Sequence, residues 1–570
     1  MSFCGHRLLS RVLLLFVFLG GCQGAFVQSF AGEVEDSIDE LLKRFDRRDA
    51  PGVAVGVVKD GEILYAKGWG MADLEHDVPM TPDSVFDIAS VSKQFAGLAI
   101  AMLEDEGKLK TSDPIHDHVA GLPEVFAPVQ LHHLLHHTSG IRDWPGAFVL
   151  GGRRFDDVIT FQDILSLARR QEALSFEPGE MYSYSNTGYN LLARTVETVT
   201  GQSFSDWTDR HIFEPLEMDS THFYEDHDAM IKRRVRSYTG AFDGPFQNVG
   251  DQLTALGSSS LYSSVHDLLK WIIHFDQPTI TSPSVIQKMM TSGKLNIGQP
   301  TGYGYGLGVG HFRGAFRISH SGGWAGFRTY LLYYPQFKVG VVVLSNWSGA
   351  NVSTLADRVA TEVIQDDWPR ALDDPLNGAS SGPSEREPVT FDQRTSWLGE
   401  YTINGSPASR VVLFRRNARL WVQLPSGRGY SLETGATDVF HSADRSIRMI
   451  GSLGPNGWPR SLSIITPDWK GTVKEIPVQA FEEGEGETYE GVYESSELLT
   501  HYRIQFENGE LVVHHQRHDP VLLSRFGKDR FTSGTWYWKR VDFDRDFQGE
   551  VTALRVSQSR NRNMLFRKVR

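Results

Sequence analysis

Cysteine is nearly absent from this chain: Cys4 and Cys22 are the two among 570 residues. No disulfide framework can brace the body of the protein, so stability has to come from core packing. Positive charge is also short. Lys and Arg number 57 against 70 Asp and Glu, a formal net charge of -13. With no basic run to offset it, such a surface repels nucleic acid, and no nucleic-acid partner is expected. Long hydrophobic runs are missing too. Val12 to Leu19 is apolar but too short to span a bilayer as a helix. Neither His-Glu-x-x-His nor Gly-x-Ser-x-Gly occurs. The zinc-protease and α/β-hydrolase readings lose their usual support with them.

What is present begins with that apolar run. Arg7 and Arg11 precede it, which is the pattern of a secretory signal. Leu19-Gly20-Gly21-Cys22 follows and resembles a bacterial lipobox. Residues 1–22 are therefore expected to be a lipoprotein-type signal peptide with Cys22 lipidated. The chain would then be exported to the periplasm or cell surface and tethered to a membrane by lipid. Ordinary cleavage after Ala31 is the alternative, at a site far from the apolar run.

The rest has a globular composition, 40% hydrophobic and 22% charged, and is long enough for several domains. Residues 33–48 carry Ile38, Leu41, Leu42 and Phe45 at helical spacing. Val53 to Val58 reads as a buried strand, Asp60-Gly61 as a hairpin turn, and Ile63-Leu64-Tyr65 as the start of a return strand. Helices are expected at 92–106, 186–200 and 351–365, and adjacent strands at 327–334 and 338–346. This order predicts an antiparallel sheet covered by helices over residues 33–368. A polar stretch rich in Pro, Gly and Ser marks a linker at 369–390.

Short alternating runs then repeat at an offset of 91. Asn417, Phe440 and Ser442 match Asn508, Phe531 and Ser533. Leu398-Gly399-Glu400-Tyr401 parallels Glu490-Gly491-Val492-Tyr493, and Arg419-Leu420-Trp421-Val422 parallels Glu510-Leu511-Val512-Val513. Tandem antiparallel β-barrel units at 391–482 and 485–570 are expected, as two small barrels or two halves of one. Their Trp and Tyr residues read as barrel core, with a sugar- or lipid-binding cavity as the alternative.

Three short motifs carry chemistry. In Ser90-Val91-Ser92-Lys93, a serine stands at a helix start with a lysine three residues on. Such a serine is ordinarily an N-cap and such a lysine solvated. Residues three apart share a helix face, however, so the amine can lie beside the hydroxyl and take its proton. The free N–H groups of the helix start suit an oxyanion. Tyr184-Ser185-Asn186 lies in a turn before a helix. Beside the plain capping role, Tyr184 can shuttle a proton, and Asn186 can bond a substrate carbonyl or hold Lys93. His320-Ser321-Gly322-Gly323 is either a turn at a strand edge or a site element. In the second reading the imidazole orients substrate and the Gly323 N–H joins that of Ser90 as an oxyanion donor.

These three motifs, in this order, resemble the penicillin-recognising serine hydrolases of the β-lactamase-like superfamily. The similarity is to the class C β-lactamase-related branch, with its D-aminopeptidases, D,D-carboxypeptidases and esterases. Supporting stretches are Pro51 to Val57, Phe86 to Ser90, His137-Thr138-Ser139-Gly140-Ile141 and Gly304-Tyr305-Gly306-Leu307-Gly308. The resemblance covers about residues 35–365. It implies catalysis by Ser90, Lys93, Tyr184 and His320, with Asn186, Gly322 and Gly323 holding substrate or oxyanion. It also implies a peptide, ester or β-lactam substrate and no cofactor. His320 stands where many β-lactamases of the branch carry the lysine of Lys-Thr-Gly, which points toward D-aminopeptidases and esterases. A non-catalytic sensor of wall peptides or penicillins is the competing reading.

Two further patterns carry less. His132, His133, His136 and His137 can suggest a metal, but no carboxylate follows at a zinc-site spacing, so they read as a surface helix and no metal is expected. The glycines from Gly302 to Gly310 alternate as a strand would and do not fit a dinucleotide loop.

Overall fold

The computed structural model describes residues 32–369 and 481–569, together with the strands that lie between 399 and 475. The signal segment with Cys22, the cleavage alternative at Ala31, the linker and Asn417 lie outside the described residues. The chain divides into two compact units. The first holds the chain up to Trp144, Arg154–Met181 and Ser185–Ala371, and the second Pro145–Arg153, Tyr182–Tyr184 and Leu372–Arg570.

The first unit is built on a six-stranded antiparallel sheet. Its strands are β1 (Val53–Lys59), β2 (Glu62–Trp69), β3 (Gly308–Phe312), β4 (Ala315–Trp324), β5 (Phe327–Tyr334) and β6 (Val339–Ser345), in the spatial order β3-β4-β5-β6-β1-β2. The first hairpin of the chain thus closes against the last, with Val55 opposite Val343. β6 is buried along its whole length and β1 along all but Lys59, which is why both read as unbroken apolar runs. Asp60 and Gly61 both have positive φ, 53° and 82°, the geometry of a two-residue hairpin turn.

Helices cover both faces. On one, the helix at residues 32–42 (α1) and α5 (Val352–Ile364) bury Ile38, Leu42, Leu355 and Val359 with Val55, Val57, Val341 and Val343. Each such side chain contributes about 1.5–3 kcal/mol on leaving water. On the other lies α4 (Val265–Asp276). It approaches so closely that a Cβ at Gly56 would meet Val265 at 2.5 Å and one at Gly340 would meet Ile272 at 2.3 Å. Between these elements in sequence run α2 (Lys93–Asp105) and α3 (Asn186–Thr200). The Ser185 hydroxyl caps α3 by accepting the Gly188 N–H at 3.3 Å, and Gly201 at φ 70° ends it.

Some expectations need correction. The first helix stops at residue 42 and passes into a 3₁₀ turn at Lys43–Phe45, short of the expected 48. Of the Gly302–Gly310 run, only Gly308 to Gly310 is strand; Gly302 and Gly306 sit at φ 71° and 75°, which breaks the pleat. The four histidines are not a surface helix. The helix is the short Leu131–Leu135, and His133 and His137 are buried. Burial pushes His133 and His136 down to about 4, so both are neutral.

The second unit contains two closed eight-stranded antiparallel barrels, from Gly399–Thr402 to Lys470–Glu475 and from Gly491–Ser495 to Met564–Lys568. The repeat therefore marks two barrels and not two halves of one. Phe440 and Phe531 lie on the fifth strand of their respective barrels and are both buried. Trp421 and Val512 lie on the third strands. In the second barrel Tyr489, Tyr493, Tyr502 and Trp538 are fully buried, with ring centroids of Tyr502 and Trp538 4.9 Å apart. These rings fill the interior as core.

Candidate active site

Ser90 lies in a 3₁₀ turn, Ala89–Ser92, which runs straight into α2. It is not a cap: no side chain caps this helix start. The residue before it, Ala89, has φ 49°, unusual for an alanine, so the turn is held in a strained conformation by its surroundings. The Asp87 carboxyl accepts the Ala89 N–H at 2.6 Å, and the Ile88 carbonyl accepts the Thr329 hydroxyl at 2.8 Å.

Lys93 is fully buried. Its Nζ donates to Asn186 Oδ1 at 2.8 Å and to the Ser258 carbonyl at 2.7 Å, and lies 3.0 Å from Ser90 Oγ. Two fixed acceptors thus hold two of the three positions on the amine, and the third faces the serine. A proton or a lone pair can occupy that position, which is the arrangement a base needs to exchange a proton with Ser90.

The acceptors are themselves held. Asp143 Oδ1 accepts the Asn186 backbone N–H at 2.7 Å and its Nδ2 at 2.8 Å, so the amide must turn Oδ1 toward Lys93. One turn further along α3, Asn190 Nδ2 donates to the Leu256 carbonyl and to Ser258 Oγ. That fixes the segment whose carbonyl meets the lysine. Asp143, Ser258 and Asn190 carry no motif, and sequence alone gave no signal for them. The use of Asn186 foreseen as holding Lys93 is the one observed.

His320 and Gly322 lie inside β4 and not in a turn at its edge. His320 is buried, and burial together with the Lys93 charge pushes it down to about 3. It is therefore a neutral imidazole. Nδ1 is 2.8 Å from the Ser321 carbonyl, an acceptor only, so Nδ1 carries the proton. Nε2 then accepts from the Tyr303 hydroxyl at 2.8 Å. Gly322 is required by close approach: a Cβ there would lie 2.3 Å from the Ile88 carbonyl oxygen. The strand of the third motif is pressed against the turn of the first. Gly323 is the next residue of β4 and pairs with Arg328.

Tyr184 lies two residues before Asn186 and is half-buried. The structure thus brings together Ser90, Lys93 and Asn186 by hydrogen bonds, and His320 through the charge of Lys93. Among the described residues, three-residue clusters suited to a metal occur at Asp73, Glu75 and His76 and at Asp226, His227 and Asp228. The histidines of 132–137 are in neither. No helix among the described residues is long and apolar enough to cross a membrane.

An antiparallel sheet between helices, with a serine turn and a buried lysine at the head of a central helix, defines the β-lactamase/transpeptidase-like class. The family model described as Beta-lactamase matches residues 34–365, and the chain belongs to that family. Among curated relatives, a D-aminopeptidase of Gluconobacter oxydans is 29% identical over 56% of this chain. The aligned region spans 60% of that relative's length. Penicillin-binding protein 4* of Bacillus subtilis is 28% identical over 69% of this chain and 88% of its own. Among solved structures, an octameric penicillin-binding protein homologue from Pyrococcus abyssi matches at a TM-score of 0.54 and 25% identity. That match covers 78% of this chain and 99% of the other. A D-amino acid amidase from Ochrobactrum anthropi has a TM-score of 0.50 at 23% identity, over 58% and 98%, and shares the fold.

Proposed function

We propose that this protein is a serine hydrolase acting through an acyl-enzyme on amide or ester bonds, in D-amino-acid peptides, wall-peptide fragments or small esters. The observation that carries the reading is the 3.0 Å approach of a fully buried lysine amine to Ser90 Oγ, with its other positions taken by Asn186 and Ser258. In the proposed cycle Ser90 loses its proton to Lys93 as Oγ attacks the carbonyl carbon. The backbone N–H groups of Ser90 and Gly323 hold the oxyanion. Lys93 then passes that proton by way of Tyr184 to the departing amine or alcohol. Water then attacks the acyl-enzyme, losing its proton along the same route, and restores the serine. The neutral His320 orients substrate as a hydrogen-bonding group. The names of the relatives, a D-aminopeptidase and a penicillin-binding protein, support the substrate class. Export with a lipid anchor at Cys22 belongs to the same proposal; a mass shift lost in Cys22→Ser checks it.

The test is incubation with a p-nitrophenyl ester, a D-alanine anilide and a chromogenic cephalosporin, beside folded Ser90→Ala. Turnover of any one that disappears in the variant supports the hydrolase. Stoichiometric labelling without turnover favours a wall-peptide or penicillin sensor of the same fold. No reaction of the folded protein with any of them refutes the hydrolase and leaves only the binding reading.

A further inference from the structure

Behind the Ser90 turn lies a pair of carboxyl groups that the cycle above does not use. Asp87 is wholly buried, and its Oδ1 accepts the Ala89 N–H at 2.6 Å. Among the described residues Oδ2 has no hydrogen-bond partner, and the Asp251 carboxyl lies close enough to act on the Asp87 side chain. The Asp251 side chain is 4% exposed. Its Oδ1 accepts the Trp324 indole N–H at 2.9 Å, and its Oδ2 accepts the Tyr262 hydroxyl. Arg234 lies 3.5 Å away. Asp87 and Tyr262 are cross-strand partners, which sets the two groups side by side.

The two ends of this link are informative. Ala89 is the strained residue that aims Ser90. Trp324 is the last residue of β4, directly after Gly323. We propose that Asp87 and Asp251 share one proton and act as positioning residues, tying the turn that carries Ser90 to the strand that carries His320 and Gly323. Charge and donor count agree on where the proton sits. Two ionised carboxylates against one arginine would leave a net negative charge in a buried place; one proton removes it. Asp251 already accepts from Tyr262 and Trp324 beside Arg234, whereas Asp87 Oδ2 lacks a donor. The proton belongs on Asp87 Oδ2, donated to Asp251. Burial and the Asp251 charge push the Asp87 carboxyl well above its ordinary value, in the same direction.

This assignment makes an asymmetric prediction. Asp87→Asn keeps an acceptor for Ala89 and supplies an N–H to Asp251, so it mimics the protonated acid. Asp251→Asn removes the charge beside Arg234 and must turn an N–H toward Trp324, a donor only, or toward Tyr262, whose hydroxyl then has to reverse and accept. The catalytic part rests on the proposed hydrolase reading; the structural part does not. With p-nitrophenyl acetate, kcat is expected to stay within about threefold of wild type in Asp87→Asn. It falls by about 10²-fold in Asp87→Ala and in Asp251→Asn, with KM little changed, as a small misplacement of reacting groups would give. Without any substrate, amide hydrogen exchange of the peptide spanning 88–93 is expected to quicken in Asp87→Ala and Asp251→Asn but not in Asp87→Asn. The infrared carbonyl band of a protonated aspartic acid, present in wild type at neutral pH, is expected to vanish in Asp87→Asn. Absence of that band in wild type, or tolerance of Asp251→Asn with damage in Asp87→Asn, overturns the inference. A wild-type protein inert toward the ester, the anilide and the cephalosporin alike refutes the hydrolase reading, and the exchange and infrared results still decide the carboxyl pair.

Discussion

Replacing Gly322 by alanine probes the fit between β4 and the serine turn. A Cβ there would lie 2.1 Å from Thr329 Oγ1, 2.3 Å from the Ile88 carbonyl oxygen and 3.2 Å from Ala89 Cβ. The threonine can rotate away at the cost of its hydrogen bond to Ile88. The carbonyl cannot move alone, because the Ile88 N–H is bound to the Leu261 carbonyl at 2.9 Å and Ala89 follows in a strained conformation. The clash must therefore displace either β4 or the Ser90 turn. Overpacking of this kind costs about 1–3 kcal/mol. At about 2.1 cal/mol/K per residue over the matched domain, 2 kcal/mol lowers Tm by ~3 °C. A shift of order 1 Å at the serine lowers kcat by about 10²-fold. Gly323→Ala is the stability control. Its Cβ would meet nothing nearer than Arg328 at 3.7 Å, and Tm should hold within about 1 °C, since a surface change without a clash stays within ~0.5 kcal/mol. Thermal unfolding and hydrolysis of p-nitrophenyl acetate measure the two effects. A Gly322→Ala protein with wild-type Tm and kcat would refute the reasoning.

Three other perturbations follow from the same geometry. Lys93→Ala should cut kcat by roughly 10²–10⁴-fold, the range of a lost general base, and a variant that retains kcat removes Lys93 from that role. Asp143→Ala frees the Asn186 amide to flip, and kcat should fall about tenfold or more, while Asp143→Asn, which keeps an acceptor, should fall less; equal losses would count against the positioning of Asn186. For His320 the depressed value near 3 means that the unfolded chain takes up a proton that the folded one refuses as pH drops below about 6.5. Its contribution to stability is complete above that pH and is lost toward pH 3, about 2 kcal/mol by pH 5. His320→Gln should remove that part of the acid destabilisation in urea unfolding measured between pH 7 and 5, and an unchanged slope would argue against a buried neutral ring.

Much of the fold was legible because its signals were local. Val53 to Val58 and Val339 to Ser345 are apolar without alternation, and only the centre of a sheet covered on both faces accommodates that. Ser185 and Gly201 bracket α3 by capping chemistry alone. The two barrels were legible through position-by-position recurrence, Phe440 with Phe531 and Ser442 with Ser533. What sequence could not give was set by contacts distant along the chain. Asp143 has nothing around it to distinguish it, and it matters because Asn186, 43 residues on, returns to it. The histidines of 132–137 looked exposed because polar residues usually are, yet tertiary packing buries two of them. Gly302 to Gly310 imitated a strand, since alternation of glycines records close approaches as readily as a pleat. A Cβ at Gly306 would strike the Lys93 backbone at 2.4 Å.

The neutral state of His320 also constrains the lysine. A second cation at that position would stand beside Lys93 and disfavour its charge, and a substrate carboxylate would be drawn to the strand. The imidazole does neither. With Nδ1–H spent on Ser321 and Nε2 accepting from Tyr303, it adds bulk and hydrogen-bond direction but no charge. The buried amine donates to two neutral acceptors, Asn186 Oδ1 and the Ser258 carbonyl. Asp143 lies one residue removed, its carboxylate turned to the far side of the Asn186 amide. Asp143 thus fixes the Asn186 amide, and Asn186 with the Ser258 carbonyl fixes the amine 3.0 Å from Ser90 Oγ.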